Sequence, residues 1–325
     1  MTTFDHDPVM VAEITALFKD VPAGTIVDAT LGGGGHSAAI LASRPDLDVL
    51  GIDQDADAIA AARERLAEFA DRVRTSHRRF DQFDEALADH GVTEISGALF
   101  DLGVSSPQLD RSERGFSYRN EGPVDMRMDP TQTWSADDVV NGYEAAELVR
   151  VIRQHGDERF AKRIAAAIVA ARPIESTTHL AEVVTSAIPA AARRTGGHPA
   201  KRTFQAIRIE VNGELDVLPD AIDQAVRATA VGGRVAVLSY HSGEDRIVKQ
   251  RFAHAAGVCD CPHDLPCVCD AIQTVRLVRG IPKRPSRVEQ EANRRATSAL
   301  LRVVEAIDAV RKRDGRLIRD EEADV

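Results

Sequence analysis

No apolar stretch in the sequence approaches the roughly 20 residues a helix needs to cross a bilayer, so no spanning segment is expected. The N-terminus lacks the basic segment and the continuous apolar core of a signal peptide, and the expected location is the cytoplasm. Cysteine is scarce, with 4 in 325 residues. All of them fall between Cys259 and Cys269, which excludes a distributed disulfide framework. Positive charge is in deficit as well. A formal net charge of −10 argues against a surface coated throughout by nucleic acid or lipid, while leaving room for a local basic patch. No internal repeat is visible. Hydrophobic content of 43% and charged content of 28% are ordinary for a globular protein. The length allows two domains, or one large domain with an insertion.

What is present is organised around Ile26–Ser37, which reads I-V-D-A-T-L-G-G-G-G-H-S. A short apolar run ends at Asp28, four glycines follow, and a helical stretch opens at Ser37. Glycine lets the backbone approach a ligand closely and reach positive φ. A helix N-terminus adds free N–H groups and the positive end of a dipole. Such a turn suits a nucleotide-like cofactor at the carboxyl edge of a parallel sheet. Gly33-x-Gly35-x-x-Ala38 also fits the dinucleotide fingerprint, with Asp53 about 20 positions on as the ribose acceptor. NAD and S-adenosylmethionine both carry a ribose, so the turn does not separate them.

Strand patterns at Thr25–Ala29, Val49–Ile52, Val73–Ser76 and Ile95–Leu102 alternate with helical patterns at Asp55–Phe69 and Phe83–Asp89, which predicts a parallel, doubly wound sheet. Asp101 lies near the end of the fourth strand. A long polar loop, Gly103–Asp129, follows. Trp134–Ala192 then reads as helices without strands, a helical insertion. Lys201–Ala228 is helical and is expected to return to the sheet domain. Gly232-Gly233 opens a central strand that ends at Tyr240-His241, and Thr274–Val278 with Ala299–Val304 reads as a closing strand pair. The tail from Asp308 is highly charged and is expected to fray.

Asp101-Leu-Gly-Val-Ser-Ser-Pro-Gln108 places a carboxylate and a polar loop beside the first strand's turn, where a methyltransferase would face cofactor and acceptor; a turn cap is the plainer role for the same aspartate. Ser242–Asp245 fits a capping box, and His241 suits either substrate contact or a structural role. Arg193, Arg194, Lys201, Arg202 and Arg208 form one basic stretch without acids. A second, Arg276–Arg302, holds 8 Lys/Arg against 2 Glu. Both suit a solvated face or a phosphate-backbone surface. Cys259-x-Cys261-x5-Cys267-x-Cys269 is compact enough for zinc, but C-x-C is tighter than the usual C-x2–4-C ligand pairs; reduced thiols or a local redox pair fit as well.

Taken together, these residues resemble the RsmH (MraW) family of S-adenosylmethionine-dependent methyltransferases, which act on N4 of a cytidine in the decoding region of bacterial 16S ribosomal RNA. The likeness runs from His6 to about Arg302. It is carried by D-x-T-x-G-x-G-G-H-S at Asp28–Ser37, D-L-G-V-S-S-P-Q-L-D at Asp101–Asp110, R-G-F-S at Arg114–Ser117 and D-M-R-M-D at Asp125–Asp129. E-R-F-A-K-R-I at Glu158–Ile164 and H-P-A-x-R-T-F-Q-A-x-R-I at His198–Ile209 also match. Two places depart from the family pattern. S-F-H-S-x-E-D reads S-Y-H-S-G-E-D here, with Tyr240 for Phe, and N-P-R-A-R-S-A-K-L-R reads N-R-R-A-T-S-A-L-L-R at Asn293–Arg302.

The resemblance implies a class I, Rossmann-like α/β methyltransferase fold with a helical domain inserted after strand four. The expected division is 1–110 and 200–307 for the methyltransferase domain, 111–199 for the insertion and 308–325 for the tail. S-adenosylmethionine is the implied cofactor, and small-subunit ribosomal RNA or the assembled subunit the implied partner. Gly34, Gly35 and His36 would hold the methionine end, Asp53 the ribose and Phe80 the adenine. Asp101 would lie on the adenine or methyl-donor side, and Gln108 would reach the cofactor from the following loop. Asp101, or a carbonyl in 102–106, would take a proton from N4, with His241 orienting the acceptor. Phe116, Arg127, Arg202 and Arg208 are the candidate RNA contacts; Phe116 and Tyr118 would stack on bases or pack beneath the insertion. An NAD-dependent dehydrogenase, a non-catalytic RNA-binding or assembly factor, and a methyltransferase acting on DNA or protein are the rival readings.

Overall fold

The computed structural model describes residues 8–193, 197–258, 261, 271–313 and 316–318. The chain forms two compact units, one of Met1–Gly103 with Val217–Val325, the other of Val104–Asp216.

The first unit is built on a sheet of β1 (Gly24–Asp28), β2 (Leu47–Asp53), β3 (Val73–His77), β4 (Ile95–Asp101), β5 (Thr229–Ser239), β6 (Ile272–Leu277), β7 (Leu300–Arg313) and β8 (Arg316–Ile318). The strand order is β3-β2-β1-β4-β5-β7-β6, with β8 on β7. β1 to β5 pair in parallel, and β7 runs antiparallel to β5, β6 and β8.

Successive residues of the central strands feed opposite faces. Ile26, Leu99 and Leu238 lie in one apolar core; Val27, Phe100 and Val237 lie in the other. That is why these strands read as continuous apolar runs rather than alternating ones. α1 (Val11–Leu17) and α2 (Gly35–Ser43) cover the first face through Ile14, Leu17, Ile40 and Leu41. α3 (Ala56–Arg65) adds Ala62 to the same core. The second face is covered by α4 (Phe83–Asp89) through Phe83 and Leu87. The sheet is thus the expected doubly wound, Rossmann-like sheet, with its direction of winding reversed between β1 and β4. In open α/β sheets ligands bind outside the carboxyl ends of the strands at that reversal.

The second unit contains α5 (Ser106–Asp110), α6 (Ala145–Gln154), α7 (Ala161–Ala170), α8 (Thr177–Ala187), α9 (Ala190–Arg193) and α10 (Lys201–Asn212). Its own core gathers Leu148, Ile152, Ile164, Ile168, Leu180 and Val184. Phe204, Ile207 and Val211 of α10 belong to that core, so the unit extends to Asp216 rather than closing at 199. α11 (Glu214–Ala228) carries the chain back, and α12 (Ser242–Ala255) and α13 (Arg287–Ala292) complete the first unit. Leu218 and Ile222 of α11, with Val248 and Phe252 of α12, complete the second-face core.

Several boundaries differ from expectation. The helix read across Asp55–Phe69 ends at Arg65 and gives way to a 3-10 turn at Ala67–Arg72. Within Trp134–Ala192, Asp138–Gly142 is a π-helical turn. The charged segment after Asp308 does not begin as a frayed tail, because β7 continues to Arg313, with Val310 and Arg311 in register against Gln273 and Ile272. Arg194, Cys259, Cys267, Cys269 and residues 319–325 lie outside the described residues. Cys261 is half-buried. Among the described residues no helix is long and apolar enough to cross a membrane, and no group of His, Cys, Asp and Glu is arranged to hold a metal.

Candidate active site

The turn after β1 is held by carboxylates on neighbouring strands. Gly32 sits at φ +50° and Gly34 at φ +73°, both left-handed, which the glycine run makes inexpensive. The Gly32 N–H donates to Asp53 Oδ2 (2.8 Å) and the Gly34 N–H to the Leu31 carbonyl (2.8 Å). Asp53 Oδ1 accepts from the Asp55 N–H (2.9 Å). Beneath the turn, the buried Asp28 accepts from Ser37 Oγ (2.6 Å) and more weakly from the Thr30 N–H (3.4 Å).

The glycines divide their work. A Cβ on Gly34 would meet Leu66 and Ala62 at 3.0–3.3 Å, and one on Gly35 would run into Pro8 at 2.5 Å. Those two let protein pack against the turn. Gly32 has only the Thr30 carbonyl nearby, at 3.9 Å, and so presents bare backbone.

Asp101, at the end of β4, is the most elaborately held side chain of the unit. Its N–H donates to Thr30 Oγ1 (2.6 Å), which ties β4 to the glycine turn. The Tyr240 hydroxyl donates to Asp101 Oδ1 (2.6 Å). His36 Nδ1 stands 3.7 Å from Asp101 Oδ2, while His36 Nε2 meets the Val9 carbonyl at 2.9 Å. A carbonyl only accepts, so Nε2 carries the hydrogen and Nδ1 faces the carboxylate.

All three strand-end carboxylates have raised pKa values, with burial as the largest cause. Asp53 is pushed up to about 6; the N–H groups of Asp55 and Gly32 act against the rise, and Asp55 and Asp28 add to it. Burial pushes Asp101 up; His36 and the Tyr240 hydroxyl oppose this, and Glu244 adds to it. Asp28 is raised by burial against Ser37.

This arrangement suits one of the two ribose-bearing cofactors. A pyrophosphate needs unfilled N–H groups at the turn and no nearby anions. Here the Gly32 and Gly34 N–H groups already have acceptors, and three carboxylates crowd the strand ends. A ligand with a sulfonium, an ammonium and ribose hydroxyls matches that acceptor-rich edge. Phe80, half-buried on the loop after β3, offers an apolar face and meets Phe100 edge-on at 6.1 Å.

His241, expected to orient the acceptor, is engaged at the start of α12. Its ring caps α12: Nδ1 accepts from the Gly243 and Glu244 N–H groups (3.2 and 3.4 Å), and Nε2 faces Glu244 Oε1 at 3.1 Å. Glu244 Oε2 returns to the backbone of His241 (3.2 Å) and Tyr240 (2.7 Å). The capping box therefore starts one residue earlier than the sequence suggests, at His241 rather than Ser242. Its indirect value is to fix Tyr240, and hence the hydroxyl on Asp101.

In the helical unit, Gln108 is buried and its Oε1 accepts from the Ser105 N–H (3.0 Å), shaping the loop that follows Asp101. Three of the four expected RNA contacts have partners within the unit itself. Phe116 is buried in the unit's core, with the Arg114 guanidinium 6.0 Å from its ring centre. Arg127 makes two bonds to Asp125 (2.9 and 2.7 Å) and one to the Gln132 carbonyl (2.7 Å). Arg208 is forked onto Glu214 (2.8 and 2.9 Å), both nearly buried. Arg202 alone is exposed. Tyr118 stacks on His198 with ring centres 4.5 Å apart. Thr30 and Tyr240 escaped sequence reasoning; Tyr240 stood out as a departure, but its partner lies 139 positions away.

Comparison with known proteins agrees with the geometry. The model of the MraW methylase family matches residues 3–307. The protein called ribosomal RNA small subunit methyltransferase H in Symbiobacterium thermophilum is 49% identical over 311 residues, covering 94% of this chain and 98% of that one. Its namesakes in Saccharopolyspora erythraea and Heliobacterium modesticaldum are 50% and 48% identical, and each match covers 93% or more of both chains. On a family match that spans nearly its whole length, this chain belongs to the MraW methylase family.

Proposed function

We propose that this protein transfers the methyl group of S-adenosylmethionine to N4 of a cytidine in the decoding region of 16S ribosomal RNA, acting in the cytoplasm. The observation that carries the chemistry is the seating of Asp101, gripped by Tyr240 and Thr30 and faced by His36 at the ends of β1 and β4.

Bound there, S-adenosylmethionine supplies a methyl group on a sulfonium, already activated for displacement. Asp53 would accept from its ribose hydroxyls, Phe80 would pack by its adenine, and Gly34, Gly35 and His36 would border its methionine end. The cytosine N4 lone pair is delocalised into the ring and attacks poorly. As N4 gains the methyl carbon and the carbon–sulfur bond breaks, one N4 proton must leave. The Asp101 carboxylate takes it. Burial raises the basicity of Asp101, while Tyr240 and His36 keep the anion from being lost altogether. Holding acceptor and donor in line contributes about 7–11 kcal/mol of barrier lowering in well-oriented cases. The base must leave its stack to reach the site.

The test is labelled methyl transfer to small subunits lacking the modification, followed by nucleoside mapping. N4-methylcytidine at one position is expected, and its absence refutes the reading. Asp101→Ala should retain cofactor binding and lose transfer; normal transfer by that variant removes Asp101 from the chemistry. A nicotinamide enzyme is set aside by family membership. A non-catalytic RNA-binding factor would bind subunits without incorporating label.

A further inference from the structure

We infer that the loop between α6 and α7, with the first turns of α7 and α10, is the surface of the helical unit that holds the RNA phosphate backbone. The identity of the partner rests on the methyl-transfer reading above; the surface itself rests on geometry.

Two conspicuous stretches of sequence, Glu158–Ile164 and His198–Ile209, have no part in the strand-end site, and the second closes onto the loop that leads into the first. Arg202 Nη1 donates to the Asp157 carbonyl (2.7 Å), and Gln205 Nε2 donates to the His155 carbonyl (3.2 Å). A Cβ on Gly156 would come within 2.6 Å of the Arg202 carbonyl oxygen, so the loop and α10 can close only over glycine. Asp157 takes up a left-handed conformation at φ +48°, strained for a residue with a side chain. The junction is built, not a chance approach of two mobile loops.

Six cations surround it: Arg153 at the end of α6, Arg159, Lys162 and Arg163 around the start of α7, and Lys201 and Arg202 at the start of α10. All six are exposed, and none forms an ion pair among the described residues. Three other arginines of the unit are neutralised instead: Arg127 by Asp125, Arg150 by Glu210, Arg208 by Glu214. The loop's acids do not cancel the six. Glu158 is buried and turned onto the Phe160 N–H (2.9 Å), which leaves Asp157 as the loop's exposed carboxylate. The Arg159 guanidinium lies 4.6 Å from the centre of the Phe160 ring, which steadies its charge over an apolar face. In a chain of net charge −10, this is a local concentration of unneutralised guanidinium and ammonium groups on a rigid support. Polyanionic phosphate is the chemistry it fits. Arg202, one of the expected RNA contacts, is a member of that surface.

The experiment compares the full-length protein with an Arg159→Ala/Lys162→Ala/Arg163→Ala variant in binding to undermethylated small subunits over a range of salt. Each phosphate contact with single-stranded RNA contributes about 0.7 to the slope of log affinity against log salt, so the slope should fall by about 2. KM for subunits should rise at least about tenfold with kcat unchanged. Calorimetry with S-adenosylhomocysteine should give the same affinity in both. A Lys19→Ala/Arg63→Ala/Lys249→Ala variant, exposed cations of the sheet unit outside both basic stretches, should keep the parent slope. An unchanged slope in the first variant, or an equal loss in the second, overturns the inference. If the triple variant does not fold, Arg163→Gln alone should lower the slope by about 0.7. If the parent binds subunits but transfers no methyl group, the methyl-transfer reading fails while the slopes still decide the docking surface.

Discussion

Cofactor affinity should weaken in mild acid, and Asp53 fixes where. Its carboxyl is pushed up to about 6 because the end of β2 is buried and other carboxylates lie near. Ribose hydroxyls are donors, and they need the ionised form as acceptor. The apparent affinity therefore scales with the ionised fraction, about one half at pH 6 and about one eleventh at pH 5. That is a loss of about 1.4 kcal/mol between neutral pH and pH 5. The ligand-free fold responds in the opposite sense. The folded pKa lies above the unfolded value of 3.8, so the folded state binds more protons between about pH 4 and 6. Ionised Asp53 then costs up to about 3 kcal/mol at neutral pH, a cost relieved as pH falls through 6. Calorimetric titration with S-adenosylhomocysteine from about pH 8 to pH 5 reads the first effect. Asp53→Asn, which cannot titrate, should bind more weakly at neutral pH and show a flat profile. A flat profile in the parent, or the parent's slope in the Asn variant, refutes the assignment of Asp53 to the ribose.

Tyr240→Phe restores the residue usual in the family pattern and removes the donor on Asp101 Oδ1. The acidic limb of the pH–rate profile should move to higher pH with KM unchanged, because the hydroxyl opposes the rise that burial gives Asp101; an unmoved limb shows that the hydroxyl does not act on Asp101. Arg208→Ala removes the forked partner of the nearly buried Glu214, at a cost of about 3–5 kcal/mol. Thermal melting should drop by several degrees while the salt slope of subunit binding stays put, and the reverse pattern would return Arg208 to the RNA interface. Phe116→Ala should cost about 3–5 kcal/mol as a core truncation, measured by denaturant unfolding of the helical unit's signal. A base-stacking residue would instead lose affinity at unchanged stability. His241→Ala removes a helix cap worth about 1 kcal/mol, and a loss of turnover far beyond the loss of stability would reinstate it as a catalytic group.

The sheet was legible because β1, β2 and β4 are buried on both faces and punctuated by glycine and aspartate. The strand-end carboxylates were legible for the same reason: chain order places Asp28, Asp53 and Asp101 at equivalent ends. What sequence could not supply was the destination of each polar group. An arginine reads the same whether it faces solvent or, like Arg127 and Arg208, is forked onto a carboxylate. The apolar spacing of Phe204, Ile207 and Val211 announces a buried face but not the core it completes, which is why the unit boundary fell short of Asp216. Tyr240 and Asp101 meet only after β5 pairs with β4, and no local pattern carries that information.

The pairing of β4 with β5 has a kinetic consequence. These strands are adjacent in the sheet, yet the entire helical unit intervenes along the chain. Closing a flexible loop of that length carries an entropic penalty before any central-sheet contact repays it. The helical unit has its own core, and its α6–α7 and α7–α8 packing joins neighbours in sequence, the kind of contact that forms early. During synthesis it leaves the ribosome before β5 does. If it condenses first, β5 searches for β4 across a short tether instead of a long coil, and the glycine turn, already made between β1 and β2, waits for that single event to acquire Tyr240.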